Sequence, residues 1–349
     1  MKIFAGKEKF GKLCFIFLVF ISVIIGGIVA YGSEDSSTKT AIYSMYTVPP
    51  YKEKQSTYTD VYNALIEQKK NEKILKNYLN DTHLTANKDK VFESYYNRLI
   101  SCCNFFNDVS YSVEGDIQSL TSWNPRLSKG EKEIFGSYYE KSIHITPIME
   151  KNEFGDDTIK TLKITSPQVP FMKIIYAGEG FFESKVDYQY LYDNYAKYLT
   201  SAYSDYLKIR LKEDTDMNGI AYYNDAALTV TKLKLMDWIM AWQKFRETYP
   251  AFKTEEVEQR LHLYTSDFMV AYENSFFMTF DTDNNLLPDA KKDYETFLKT
   301  VNPNTPEYKM VEKYYAVLKK NKYKYTNEVS VCLDEWRNKY DGNVFEIMH

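Results

Sequence analysis

Oxygen-bearing side chains at alternate positions give the stretch from residue 214 to residue 225 the composition of a metal-ion loop. Calcium takes about six to eight hard oxygens from carboxylates, amides, backbone carbonyls and water, and such a loop needs a glycine at its sharp turn. Gly219 stands at that place. The spacing therefore predicts a calcium site formed by the side chains of Asp214, Asp216 and Asn218, the Ile220 carbonyl, a water near Tyr222, and the Asp225 carboxylate.

The pattern of this stretch, D-x-D-x-N-G-x5-D, resembles an EF-hand-type loop, and more closely the bacterial variant that ends in aspartate, as in dockerin modules. The resemblance is local and implies calcium between two helices, one ending near Lys212 and the next beginning after Asp225. It departs from the family at Ala221, where a branched apolar residue is usual, and at the closing aspartate, which is usually a glutamate. The alternative is a polar turn in which Asp225 caps the next helix.

A second stretch, FDTDNNLLPDAKKD, offers four further oxygen ligands at similar spacing, which are Asp281, Asp283, Asn285 and Asp289. It resembles the calcium-binding aspartate repeats of thrombospondin type 3. Leu286 replaces the usual glycine and Lys292 occupies the place of the closing acid, with Asp293 one residue further on. The alternative is a helix-capping loop with Pro288 in the first turn.

Catalytic motifs are scarce in the sequence. It contains no G-x-S-x-G, no H-E-x-x-H, no P-loop and no complete G-x-G-x-x-G, and its four histidines are widely separated. A pair of carboxylates of the glycosidase type can be made from many acidic residues, because the separation that defines it is spatial. Whether the chain is an enzyme stays open, and the sequence favours a non-enzymatic role.

An apolar run from Leu13 to Tyr31 is the strongest signal in the chain. Its 19 residues can cross a hydrocarbon core as a helix. Lysines precede it and acidic residues follow it, so the positive-inside rule predicts a cytoplasmic N-terminus and an external C-terminal part. The alternative is a signal peptide cleaved near Gly32, which would release a secreted protein.

The charge of the exported part excludes one class of partner. The whole chain carries −4 and the lysine-rich segment before the apolar run carries +3, so the exported part carries −7. Nucleic-acid binding needs a basic surface, so we do not expect it. Envelope proteins or polymers remain candidate partners.

Three cysteines, Cys102, Cys103 and Cys332, lie in the exported part. Cys102 falls on the apolar stripe of a predicted helix, which favours a buried thiol. A disulfide from Cys102 or Cys103 to Cys332 is the alternative in an oxidising compartment. Tyrosine is unusually common, with 32 residues, and suits half-buried positions at helix surfaces.

The expected fold is α+β and predominantly helical. Residues 1–33 form a cytoplasmic stub and transmembrane helix, and residues 34–55 form a linker. Residues 56–186 combine helices with a small antiparallel sheet, because three short strand-like runs follow one another there. Residues 187–349 are helical, beginning with one continuous helix to about residue 211. Trp238 and Trp242 lie four residues apart on a central helix, and we interpret them as core.

These features predict a membrane-anchored, extracytoplasmic interaction or structural protein, and the two loops predict that calcium stabilises it. Two alternatives come from other classes. One is an envelope hydrolase that acts on glycan or peptidoglycan through acidic residues, and the other is a solute- or polymer-binding module. A cleft that converges two carboxylates and aromatic side chains would favour the hydrolase.

Overall fold

A computed structural model describes residues 58–81, 88–112, 144–151, 157–165, 171–178, 181–224, 227–271 and 273–339. Within these ranges the chain is predominantly helical with small antiparallel sheets, as the sequence predicts. None of the helices in the described ranges is long and apolar enough to cross a membrane. The predicted transmembrane run and the linker lie outside the described residues.

Two long helices form an antiparallel pair at the start of the described chain. Helix α1 spans Tyr58–Asn80 and helix α2 spans Lys88–Ser112. Apolar side chains at spacings of three and four bury one face of each helix, as in Leu75 and Leu79 of α1. Gln68 crosses between the helices and donates a 3.2 Å hydrogen bond to the Tyr95 carbonyl.

Four strands form two antiparallel hairpins. Strand β1 (His144–Lys151) pairs with β2 (Asp157–Thr165), and β3 (Met172–Gly178) pairs with β4 (Phe181–Val186). All three strand-like runs seen in the sequence are therefore strands. Strand β4 lies against α2, where the Asn107 side chain accepts from the Ser184 backbone N–H at 2.7 Å and donates to its carbonyl at 3.2 Å.

The remainder of the described chain is helical apart from a two-residue strand pair. Its helices are α3 (Tyr188–Tyr195), α4 (Ser201–Met217), α5 (Lys232–Thr248), α6 (Thr254–Val270), α7 (Pro288–Thr300), α8 (Pro306–Lys320) and α9 (Asn327–Arg337). The strand pair joins β5 (Tyr223–Asn224) to β6 (Ala227–Leu228), and the 3-10 helix Glu273–Met278 follows α6.

The single helix predicted after residue 187 is in fact two helices. A short 3-10 turn follows α3, and Thr200 then caps α4 by accepting from the Tyr203 backbone N–H. The Asp89 carboxylate of α2 accepts from the Thr200 backbone N–H at 2.9 Å. Helical periodicity continues across this break, so the pattern alone could not reveal it.

The core lies between these helices and is rich in aromatic side chains. Trp238 and Trp242 are fully buried, which confirms their interpretation as core. Many tyrosines are more deeply buried than expected, including Tyr195, Tyr206 and Tyr294. A buried phenol needs an internal hydrogen-bond partner, so tyrosine here contributes to a polar interior. Cys102, Cys103 and Cys332 are buried free thiols.

Candidate functional site

The first predicted calcium loop begins inside a helix. Helix α4 continues to Met217, past the end expected from the sequence, so Asp214 and Asp216 are helical residues. Side chains two positions apart on a helix do not face each other. Asn218 and Gly219 then end the helix with positive φ angles of 53° and 79°. The next helix begins only at residue 232.

Cations and an indole surround the two aspartates. Lys173 of β3 places its Nζ 2.5 Å from Asp214 Oδ2, and the Asp214 side chain is buried. Asp216 accepts from Trp238 Nε1 at 2.8 Å and from Lys212 Nζ at 2.9 Å. The two carboxylates therefore have different partners on different neighbours, and a calcium ion held by both would have to replace these contacts.

The other predicted ligands of this loop are distributed along the turn. Ile220 donates its backbone N–H to the Met217 carbonyl at 3.1 Å, whereas the Tyr222 hydroxyl points inward and donates to Asp267 at 2.7 Å. Asp225 lies outside the described residues. Throughout the described ranges, no group of three or more His, Cys, Asp or Glu side chains could hold a metal ion. Calcium at residues 214–225 stays a prediction.

The second predicted loop is organised around a single carboxylate. Asp281 accepts from the backbone N–H groups of Asp283 at 2.9 Å and Asn285 at 2.7 Å, and the Asn285 amide donates to it as well. The hydrogen bonds from Asn285 lower the pKa of Asp281. The turn residue is Asn284, with a φ of 64°, and Asp289 is exposed in the first turn of α7. Calcium here is likewise still a prediction.

A group of four charges, three of them buried and one half-buried, links α4 to α6 and is here called the ion cluster. It consists of Arg210, Glu213, Glu256 and Arg260. Arg210 Nε is 3.1 Å from Glu213 Oε2, and its Nη1 is 3.3 Å from Glu256 Oε1. Arg260 Nη2 is 3.0 Å from Glu256 Oε1, and its Nη1 is 3.6 Å from Glu213 Oε2. Two carboxylates and two guanidinium groups thus alternate, and Glu256 lies at the solvent side of the cluster.

Aromatic donors complete the hydrogen bonding of this cluster. Glu213 Oε1 accepts from Trp242 Nε1 at 2.5 Å and from the Tyr264 hydroxyl at 2.9 Å, and Glu256 accepts from the Tyr206 hydroxyl at 2.7 Å. Burial raises the pKa of Glu213 despite these donors. Charges this deeply buried persist only when they are paired and hydrogen-bonded.

Lys253 extends the cluster to α2. Its Nζ lies 2.6 Å from Glu93 Oε1 and faces three tyrosine rings, with the Tyr206 centroid at 5.1 Å. Lys253 has a φ of 47°, in the left-handed region, immediately before α6. Such a conformation costs about 1–3 kcal/mol in a non-glycine residue and persists where its surroundings hold it. The lysine thus joins the first helix pair to the ion cluster.

The carbonyl end of α6 is held by side chains from three other helices. Lys232 of α5 donates to the carbonyls of Phe268 and Met269, the latter at 3.2 Å. Tyr294 of α7 donates to Met269, and Arg337 of α9 donates to Val270 at 2.5 Å. The last carbonyls of a helix have no partner within that helix, so side chains must satisfy them when the end is buried.

Burial perturbs two ionisable groups near this helix end. It lowers the pKa of Lys232 to about 7 and raises the pKa of Asp267 to about 6. Asp267 accepts from Tyr222, and its carboxylate is close enough to Lys232 for each charge to favour the other. Perturbed values of this kind occur both in active sites and in structural ion pairs. Here the lysine is bonded to backbone carbonyls, which indicates a structural role.

A third perturbed group, Lys185, lies beside a narrow crevice. Burial lowers its pKa to about 8, and its side chain contacts Met217 Sδ at 3.9 Å. The crevice is also lined by Cys103 and Tyr188, and it has no room for a water molecule. Burial raises the pKa of the Cys103 thiol far above its usual value, so this thiol is a poor nucleophile. The crevice cannot admit a substrate in this conformation.

The buried charged groups contact one another across helices, and we did not predict this ionic interior from the sequence. One signal was available, because Tyr206, Arg210, Glu213 and Met217 follow each other at helical spacing on the buried face of α4. Asp214, next to this series, was interpreted as part of the calcium loop.

Comparison with known proteins assigns neither a family nor a function to the chain. No family model matches the chain, and searches of curated proteins and of solved structures give no match.

Proposed function

We propose that the chain is a membrane-anchored, extracytoplasmic interaction or structural protein. The observation that carries this proposal is the apolar run from Leu13 to Tyr31, which has lysines before it and acidic residues after it. A run of this length in this charge context is typical of a signal-anchor helix. The external compartment and the anchor both follow from that one segment.

The interior of the folded part supports a structural role over a catalytic one. A catalytic carboxylate or lysine must reach a substrate, whereas the most perturbed groups here contact other protein groups. Glu213 is enclosed by Arg210, Trp242 and Tyr264, and Lys232 is bonded to helix carbonyls. Such a bonded interior suits a rigid body that presents its surface to a protein or an envelope polymer.

Calcium belongs to this proposal as a stabilising ion rather than as a catalyst. The turn that follows α4 leads into β5, and the loop that starts at Asp281 joins the 3-10 helix to α7. A calcium ion at either junction would fix the direction of the following element. Binding to the folded state alone would raise its stability as the calcium concentration rises.

The anchor is tested with the full chain expressed in cells that retain an intact cytoplasmic membrane. We expect the chain to sediment with membranes after alkaline carbonate washing, and external protease to digest the body while the membrane is intact. A matched control replaces Phe17 and Ile21 with lysine, which makes a hydrocarbon-spanning helix unfavourable by several kcal/mol. Release of the wild-type chain by carbonate, or its appearance in the medium as a shortened form, would refute the anchor.

A search for partners uses the same membranes. We expect the detergent-solubilised full chain to retain a specific envelope protein or polymer that is absent when the two-lysine variant is used. Hydrolysis of added glycan or peptidoglycan by the purified chain would instead support the enzymatic alternative.

A further inference from the structure

The 3-10 helix Glu273–Met278 presents the most exposed large apolar side chain described in the protein. The side chain of Phe277 is 59% exposed and that of Met278 is 43% exposed. Leu233, in the first turn of α5, is 48% exposed. Leu228, five residues before Leu233, donates its backbone N–H to the buried Ser275 hydroxyl, so the chain that leads into α5 passes beside the 3-10 helix. Exposed apolar groups that cluster in this way mark contact surfaces.

The neighbouring residues hold Phe277 and Met278 outward. The Phe276 ring packs inward against Phe280 at 5.1 Å and against Tyr325 at 5.1 Å. The Thr279 and Phe280 backbone N–H groups both donate to the Phe276 carbonyl. Phe276 therefore fixes the turn, and the two following side chains have to face solvent.

Phe277 and Met278 are here called the apolar tip. The loop after α8 places lysines near it. Tyr325, which packs on Phe276, follows Lys324, and its backbone N–H donates to the Asn284 carbonyl at 2.8 Å. Lys322 and Tyr323 both have positive φ angles, of 55° and 61°. This unusual turn exposes Lys322 and Lys324 on either side of Tyr323, whose backbone N–H is bonded back to α8.

Acidic groups near the tip have partners of their own. Asp281 accepts from Asp283 and Asn285 within its loop, and the nearby charge of Lys324 contributes to lowering its pKa. Glu328 is paired with Lys320 at 2.5 Å. Asp283 is exposed and lies on the same loop. Charges of both signs therefore surround Lys322 and Lys324, so the apolar side chains must contribute the larger part of the binding free energy.

We propose that the surface formed by Leu233, Phe277 and Met278, with Lys322 and Lys324 beside it, docks onto the headgroup region of an anionic phospholipid bilayer. Aromatic and apolar side chains at an interface bury their surface between headgroups, while lysines reach lipid phosphates. The inference rests on the proposed anchor, which would hold the bilayer near this surface.

The small exposed apolar area and the length of the chain before α1 both favour a bilayer over a second copy of the chain. The three apolar side chains expose roughly 100 Å² each, well below the ~800 Å² per partner that a stable protein interface buries. Residues 32–57 could span at most about 90 Å, which allows the folded part to return to the membrane surface. A small apolar tip with adjacent lysines suits shallow insertion, which needs no extended complementary face.

The test uses the full chain in lipid nanodiscs, with Cys14→Ser to remove the thiol of the apolar run. An environment-sensitive fluorophore is attached through Met278→Cys, and in a separate sample through Ser201→Cys. Ser201 is exposed at the start of α4 near the other end of α6, which is about 25 Å long. The native thiols Cys102, Cys103 and Cys332 are buried and should label poorly.

We expect the label at residue 278 to shift to shorter wavelengths in discs that contain phosphatidylglycerol, with a smaller shift in phosphatidylcholine alone and none at residue 201. Phe277→Ser should abolish the shift. Lys322→Glu and Lys324→Glu should each reduce the equilibrium constant for docking by about fivefold at low ionic strength.

Two results would overturn the surface proposal. One is an identical signal from residues 278 and 201 in both lipids, and the other is a shift that survives Phe277→Ser. A concentration-dependent shift that appears without lipid would identify self-association instead. If the chain fails to co-purify with discs, the anchor is refuted, and the same labelled chain mixed with preformed vesicles still decides whether this surface binds lipid.

Discussion

Removing the charge of Glu213 should destabilise the protein more than removing any exposed carboxylate. Its side chain is enclosed by Arg210 at 3.1 Å and Arg260 at 3.6 Å, and it also accepts from Trp242 and Tyr264. Breaking a buried ion pair from one side leaves an uncompensated charge and costs about 3–5 kcal/mol. In Glu213→Leu the indole and the phenol also lose their acceptor, so we expect the upper part of that range.

A graded set of variants separates charge from hydrogen bonding. Glu213→Gln keeps an acceptor oxygen for Trp242 and Tyr264 but loses the charge and the oxygen that faces Arg210, so its loss should still be smaller than that of Glu213→Leu. Arg210→Met combined with Glu213→Leu should recover part of the loss, because a buried ion pair can often be replaced by apolar residues of similar volume. The recovery would be incomplete, since Arg260 and Glu256 remain charged.

The assay is urea unfolding of the full chain in detergent, followed by circular dichroism at 222 nm, with thermal melting alongside. A loss of about 3–5 kcal/mol corresponds to a fall of roughly 4–10 °C in the melting temperature for a protein of this size. The matched control is Glu335→Gln, which removes the exposed partner of Lys313 and should leave the melting temperature unchanged. Equal stability of Glu213→Leu and Glu335→Gln would refute the assignment of the ion cluster as a stabilising network.

Three further predictions concern pH and calcium. The pKa of Lys232 is lowered to about 7 in the folded state, so the unfolded state binds more protons than the folded state above that pH. The free energy of unfolding should therefore rise as the pH increases from about 7 to 9.5, and urea titrations of Lys232→Met should show no such rise. The pKa of Asp267 is raised to about 6 in the folded state, so the folded state binds more protons than the unfolded state between about pH 4 and 6. The free energy of unfolding should therefore fall as the pH rises from about 4 to 6, and Asp267→Asn should show no such fall. Calcium should raise the melting temperature relative to chelator, and Asp225→Ala should cancel that rise if the first loop binds. Asp225→Ala is preferred to Asp214→Ala, because the loss of Asp214 would leave Lys173 without its partner in either condition.

Periodicity and turn residues were sufficient to predict most elements of the fold. The three strand-like runs are strands, and Pro288 lies in the first turn of a helix, as the helix-capping alternative for the second loop predicts. The break at Thr200 was missed because Asp89 of another helix stabilises it, and a contact across more than a hundred residues leaves no local signal.

The candidate site was harder to predict for a related reason. The D-x-D-x-N-G pattern was interpreted as a loop, but α4 continues through Asp214 and Asp216 because Lys173 and Trp238 provide partners for their carboxylates. The ion cluster was missed because a charged residue on a helical stripe looks solvent-exposed until its partner is known. Glu213 and Arg260 are far apart in sequence, and only the packing of α4 and α6 against α5 brings them together.

Side chains from three helices bind the last carbonyls of α6, and this limits the order in which the chain can assemble. The three donors come from Lys232, Tyr294 and Arg337, which are separated by more than a hundred residues of sequence. During vectorial synthesis or export, Val270 cannot acquire its guanidinium donor until residue 337 has emerged. We infer that the helices after residue 254 reach their final arrangement together and late, and that the partly emerged chain is the state most exposed to aggregation and proteolysis.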